Sequence, residues 1–374
     1  MKTPVIKFNS NIESASEDKA FYTELKKRVN QYFKDNNKTR YGNFNMKLKT
    51  VFMISLNFIP LTLMLTGVVS STWLVFSMWT LMGFGTAGIG LSIMHDANHG
   101  SYSKNDTVNT VLGYMFDLIG SYHINWKIQH NVLHHTFTNV GGYDEDIDTR
   151  VMRLSPNQER KSLHKFQAYY ATFFYGIMTI YWLISKDFEQ VVKYSKNNLL
   201  KAQGLTFGTA LTQVIIIKIC YFTAMIALPI IITSIPWYQV VLGFLLMHVI
   251  TGLILSFIFQ TAHILEETEF FEVDETGSIE NNWAIHQLKT TSNFAHNSKF
   301  FSWFIGGLNY QVEHHLFPNI CHVHYKALSP IVQKTAEEFN IPYHQHKTFF
   351  GAIKSHFSLL NRLGTGAYDS RMSA

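Results

Sequence analysis

Residues 51–94 read VFMISLNFIPLTLMLTGVVS, then ST, then WLVFSMWTLMGFGTAGIGLSIM, and the next five are HDANH. Each long string is uncharged over about 20 residues, the length a helix needs to cross the hydrocarbon core of a bilayer. The two-residue link leaves room for nothing but a hairpin. Farther along, 211–233 and 238–262 repeat the pattern around a short link at Ser234 and Pro236. The expected fold is therefore all-α and integral to a membrane, with four transmembrane helices in two hairpins and a helical cap of polar-side segments. One residue fits poorly, because Lys218 falls inside the third span. It snorkels, faces the helix bundle, or marks a misplaced span, and the sequence does not choose.

The rest of the chain of 374 residues supports this frame. Hydrophobic residues make up 47% and charged residues 15%, well below the charge content of a soluble domain. Phe (30) and Tyr (18) are abundant, as at a membrane boundary. A net charge of +5 is too small and dispersed to argue for nucleic acid. Cys220 and Cys321 are too few for a disulfide framework or a thiolate metal site. The N-terminus, MKTPVIKFNSNIESASEDK, has no apolar signal core.

Lys and Arg set the orientation. Residues 1–50 hold eleven, 95–210 another eleven, and the tail after His263 eight, while the two short links hold none. Both termini and the central interval are expected on the cytoplasmic side. The organisation that follows is a cytoplasmic segment over 1–50, a membrane domain over 51–330 and a tail over 331–374. The stretch 18–33 is amphipathic. The run 167–184 is apolar but short, and a fifth span there would break the charge pattern, so it reads as a helix lying in the interface.

Several of the 18 histidines fall in clusters. His95 and His99 stand in HDANH, His130, His134 and His135 in HNVLHH, His263 in QTAH, and Gln311, His314 and His315 in QVEHH. On a helix, residues four apart share a face, so His95 with His99 and His130 with His134 can each turn two imidazoles toward one point, and Gln311 does the same with His314 and His315 through separations of three and four. One such pair is commonplace. Four groups on one predicted membrane face are not. Eight imidazoles exceed the capacity of one ion, and imidazole suits iron, zinc and copper alike. His123, His164, His286, His296, His322, His324, His344, His346 and His356 read as solvated or supporting residues, and His248 as a buried hydrogen-bonded one.

The strings HDANH, HNVLHH and QVEHH resemble, in order and placement, the three histidine boxes of membrane fatty acid desaturases. The Gln that opens the third box, with WFIGGLNYQVEHHLFP around it and HQLKTT and NFA upstream, resembles the front-end delta-6 and delta-5 acyl desaturases. The resemblance covers roughly residues 50 to 330. It implies that His95, His99, His130, His134, His135, His263, His314 and His315 bind two iron ions, with O2 as co-substrate. Gln311 would ligate weakly, hold a metal-bound water, or order the shell. The carboxylates Asp96, Glu313, Glu266 and Glu267 would hydrogen-bond ligand imidazoles. No HPGG haem motif occurs in the first fifty residues, so electrons are expected from a separate ferredoxin or cytochrome b5-like donor.

The implied reaction is removal of two hydrogens from an acyl chain carried on coenzyme A or a lipid, leaving a cis double bond. The string from Asp144 to Asp148, with Arg150 and Arg153, is a candidate for contacting the headgroup or carrier; the alternative is a solvated loop. Two rivals are a membrane di-iron hydroxylase or ketolase of alkanes, sterols or carotenoids, and a metal transporter or store. Transport asks for ionisable groups lining the mid-membrane, and apart from Lys218 and His248 the spans offer few.

Overall fold

A computed structural model describes residues 7–9 and 15–369. Much of the N-terminal stretch read for a signal core lies outside the described residues. Four helices are long and apolar enough to cross a membrane: Phe44–Leu65, Thr72–Asn98, Phe207–Ile232 and Trp237–His263. They are the four expected spans, but their ends follow caps rather than hydropathy. Span one starts seven residues before its apolar run because the Asn43 side chain accepts a bond from the Met46 N–H at 3.1 Å. Span three starts at Phe207 because Thr206 caps it. Spans two and four run on past their apolar strings and so include His95 and His263.

The chain forms two compact units. One comprises Gly42–Ile128 and Thr172–Ser256, and holds most of the four spans. Its interior is Leu61, Met64, Val75, Trp79, Met82, Tyr221, Phe244 and Met247. Lipid offers helices no hydrophobic drive to associate, so small residues and hydrogen bonds hold them. Asn57 donates to Thr86 Oγ1 at 2.7 Å, and Thr251 donates to the Gly83 carbonyl at 3.0 Å. Gly252 comes so close to the helix Gln167–Tyr181 that a Cβ on it would lie 2.5 Å from the Gly176 carbonyl oxygen. Beside that crossing, Thr179 donates to the His248 carbonyl at 2.9 Å. The outward face is apolar, and Trp73 and Trp237, 86% and 65% exposed, open spans two and four as interfacial anchors do.

Lys218 faces the bundle. Its ammonium group donates to Asp187 at 2.5 Å and to the Gly120 carbonyl at 2.7 Å. His248 is buried and bonded as expected, between the Tyr221 hydroxyl and Thr179, each at 3.1 Å.

The other unit comprises Met1–Tyr41, Gln129–Ala171 and Phe257–Ala374. Helix Ala15–Asp35 lays Phe21, Leu25 and Val29 on Leu328, Val332 and Ala336 of helix Tyr325–Glu338. Arg28 ties the two from outside, donating to Glu338 at 2.6 Å. Helix Phe349–Thr365 buries Ala352, His356, Leu359, Leu360 and Leu363, a one-sided stripe at helical spacing. Two short parallel strand pairs complete the unit: Lys7–Asn9 with Ser278–Glu280, and Ser292–Phe294 with His344–His346.

Arg153 fastens the last of the described residues. Its guanidinium donates to both carboxylate oxygens of Asp369 at 2.9 Å and to the Leu363 carbonyl at 3.0 Å. The hydrogen bond from Arg153 holds the Asp369 carboxyl below its usual pKa. A group depressed in the folded state stabilises it at neutral pH and loses that contribution as pH falls through the lowered value. Amide exchange over 360–369, corrected for intrinsic rate, should therefore quicken below about pH 4. Arg153→Met should show the same quickening already at pH 7. Equal exchange in both proteins would contradict this role.

Candidate metal centre

Both long histidine clusters sit where the helix ladder changes register. Residues Ile89–Met94, just before His95, and Lys127–His134 are π-helical. Such wide turns are uncommon and concentrate at functional sites. The four-residue spacing still brings rings together: His130 and His134 stack at 5.4 Å, and the His95 and His99 rings lie 4.8 Å apart.

Within the unit that contains residues 129–171 and 257–374, six histidines form two adjoining groups. His134, His263 and His315 each offer a ring nitrogen, all within 4.8 Å of one another and all buried. Beside them, His135 Nε2 lies 3.2 Å from His130 Nε2 and 3.0 Å from His314 Nε2. The two groups adjoin through His135, whose ring stacks on His315 at 4.4 Å.

The residues fit a metal. Two nitrogens held about 2 Å from one ion at a right angle lie about 3 Å apart, the spacing around His135. Nε2 of His134, Nε2 of His263 and Nε2 of Gln311 are buried without a hydrogen-bond partner among the described residues. Buried polar atoms are generally satisfied in folded proteins, so orphaned ring nitrogens in a trio whose ligand atoms lie within 4.8 Å of one another call for a ligand.

The opposite nitrogens are held from behind. His134 Nδ1 meets Asp144 at 3.1 Å, His263 Nδ1 the Thr290 carbonyl at 3.1 Å, His314 Nδ1 the Tyr325 hydroxyl at 3.1 Å, and His315 Nδ1 the Gln287 amide oxygen at 2.8 Å. Each bond fixes the ring and turns Nε2 inward, as around metal-bound imidazoles generally. Burial opposes charge on His134, but the Asp144 carboxylate outweighs it and raises the His134 pKa. Asp144→Ala should leave the protein folded and weaken metal binding about 10- to 100-fold. Chelator competition checks this, and unchanged affinity would remove Asp144 from the site.

Other expected residues fall elsewhere. Glu313 is fully buried but bonds Tyr343 at 2.7 Å and Asn293 at 2.8 Å, not a ligand histidine. Burial pushes its pKa up to about 7. Glu266 pairs with Arg362 and Ser358, and Glu267 with His346 and Ser355. Gln311 is buried, with its side chain reaching His263. Of the string considered for a headgroup or carrier, Asp144 backs His134 and Arg153 binds Asp369, while Asp148 and Arg150 are exposed.

His286 and His356, read as solvated or supporting, are fully buried. Each meets a backbone carbonyl at 2.8 Å, that of Thr138 and of Ile264 respectively. Burial lowers both pKa values to about 4, so both rings are neutral. They brace the turns that follow His135 and His263.

In the other unit, His95 and Asp96 are each 1% exposed, with His95 Nδ1 3.7 Å from the Asp96 carboxylate. The Trp126 ring meets the rings of His95 and His99 edge-on at 5.6 and 5.7 Å.

Residues 71–347 match the family model described as fatty acid desaturase. The chain is 35% identical to an sn-1 linoleoyl-lipid 6-desaturase of Arthrospira platensis, covering 92% of each protein. It is 36% identical to an enzyme of that description from Synechocystis sp., covering 93% of this chain and 97% of the relative. An acyl-lipid (8-3)-desaturase of Physcomitrium patens is 37% identical over 93% of this chain and 72% of its own length.

Proposed function

Because the chain belongs to the fatty acid desaturase family, we propose that it inserts a cis double bond into a lipid-linked acyl chain at the delta-6 position of linoleoyl groups. The observation that carries the chemistry is the pair of adjoining three-histidine groups with orphaned nitrogens turned inward. The regiochemistry rests on the two linoleoyl-lipid 6-desaturase relatives and on the Gln311 that opens the third histidine cluster.

No side chain is a strong enough base to remove hydrogen from an unactivated methylene, so a redox-active metal pair must supply that capacity when bound. Iron is the metal we assign, held by His134, His263 and His315 on one side and by His130, His135 and His314 on the other. His95 and His99 complete the set, on the strength of the first histidine box. Two C–H bonds break and one C=C bond forms. O2 takes two electrons from the substrate and two from a donor, with two protons, and leaves as two waters. A separate ferredoxin or cytochrome b5-like protein is the proposed donor. The positions of Lys and Arg support a cytoplasmic site with both termini on that side.

The test is expression in a host that contains linoleate but lacks delta-6 desaturation, with a donor co-expressed and total fatty acids resolved by gas chromatography and mass spectrometry. A new triene two mass units below linoleate is expected, and it should vanish in His134→Ala and His315→Ala. A product sixteen units heavier would mean hydroxylation. Unchanged lipids despite iron-loaded, membrane-inserted protein would overturn the reading.

A further inference from the structure

A buried ion pair between Lys218 of span three and Asp187 of the helix Asp187–Lys196 serves no evident purpose as a charge alone. Lys218 is 5% exposed and Asp187 is fully buried. A lysine that lies in an apolar helix solely to hold two helices together is readily replaced by apolar residues, since desolvating both charges offsets most of their attraction. What distinguishes this pair is its other bonds.

The Asp187 carboxylate accepts Lys218 Nζ at 2.5 Å, the Tyr122 N–H at 3.1 Å, the Trp182 indole N–H at 3.2 Å and the Asn125 amide at 3.3 Å. The Asn125 amide also donates to the Asp187 carbonyl at 2.9 Å. Lys218 donates in turn to the Gly120 carbonyl at 2.7 Å. Gly120, Tyr122 and Asn125 lie within six residues of one another, so both members of the pair grip one segment. That segment is tightly placed: Gly120 has φ +92°, and a Cβ there would meet the Tyr221 ring at 2.8 Å. The residue after Asn125 is Trp126, whose ring lies edge-on to His95 and His99. Phe116 packs on Trp126 at 6.2 Å and on Trp182 at 5.5 Å, closing the connection.

We propose that Lys218 and Asp187 are positioning residues for the first histidine pair: they fix residues 120–126 so that Trp126 holds the His95 and His99 rings at the angle needed to bind metal. Neither residue touches the reacting atoms. The inference rests on the assignment of His95 and His99 as ligands. It adds that their orientation is set from an ion pair on two other helices, by way of an indole that donates nothing to the metal.

The experiment uses full-length protein purified in detergent, comparing wild type with Lys218→Met, Asp187→Asn and Trp126→Leu. Iron affinity is read by chelator competition per folded chain, and thermal stability in parallel. All three variants should bind iron about tenfold or more weakly than wild type, the scale at which residues behind metal ligands act. Trp126→Leu should do so with little change in melting temperature. Trp126→Leu with wild-type iron affinity would break the proposed connection and overturn the inference. So would Lys218→Met or Asp187→Asn proteins that melt earlier yet hold iron as wild type does. If Lys218→Met does not fold, the near-isosteric Asp187→Asn decides, and failure of both to fold marks the pair as purely structural and overturns the inference. Wild-type protein that takes up no iron would defeat the metal assignment itself, a result visible before any variant is compared.

Discussion

His135→Ala should abolish the double bond, with product falling at least about a hundredfold while the protein still inserts and folds. The loss of a direct ligand should exceed the 10- to 100-fold cost of removing a residue behind one. His135 is the strongest choice because its Nε2 is shared, lying 3.2 Å from His130 and 3.0 Å from His314. Its ring also stacks on His315 of the adjoining group. Removing it opens one group and loosens the wall of the other. Iron per purified chain should fall by at least half, measured beside fatty acid product in the same membranes. Full iron content with lost activity would make His135 a substrate-facing residue instead. Full activity would remove it from the site.

Gly252→Val should be strongly destabilising. A Cβ at this position would lie 2.5 Å from the Gly176 carbonyl oxygen and 2.6 Å from that of Tyr175. Both are backbone atoms, which cannot swing aside as a side chain does. The helices must separate, and overpacking of this kind commonly costs about 1–3 kcal/mol, with an immovable neighbour at the upper end. Separation would also break the bond from Thr179 to the His248 carbonyl. The expected readout is a lower melting temperature in detergent and a lower yield of inserted protein, with Gly252→Ala affected less. A Gly252→Val protein that melts with wild type would show that the crossing has slack.

The four spans and the histidine clusters were legible because both are periodic or compositional signals. An uncharged run of twenty residues has few interpretations, and HxxxH marks one helical face whether the helix is α or locally π. The groups behind the histidines carry no such signal. Gln287 and Tyr325 are neutral residues 28 and 11 positions from the rings they hold, those of His315 and His314 respectively. Asp144 was visible as part of an acidic string, but its pairing with His134 depends on the turn at Asn139, where φ is +57°. A one-dimensional reading sees the charge and not the turn. Lys218 was visible as an anomaly with three explanations, and its partner Asp187 lay 31 residues away in another helix. Glu313 was named for standing beside His314, yet neighbours in sequence on a helix point to different sides. Glu266 lies three residues beyond His263, past the end of its helix, where helical spacing no longer applies.

The backing of the rings has one more implication. In one trio the outer nitrogens face a carboxylate, a peptide carbonyl and an amide oxygen; in the other, His314 faces a phenol. An anion behind an imidazole makes it a better electron donor, and a phenol does so far less. A cation seated in the first trio would therefore meet stronger donors than His314 offers in the second, although each meets the same kind of ring.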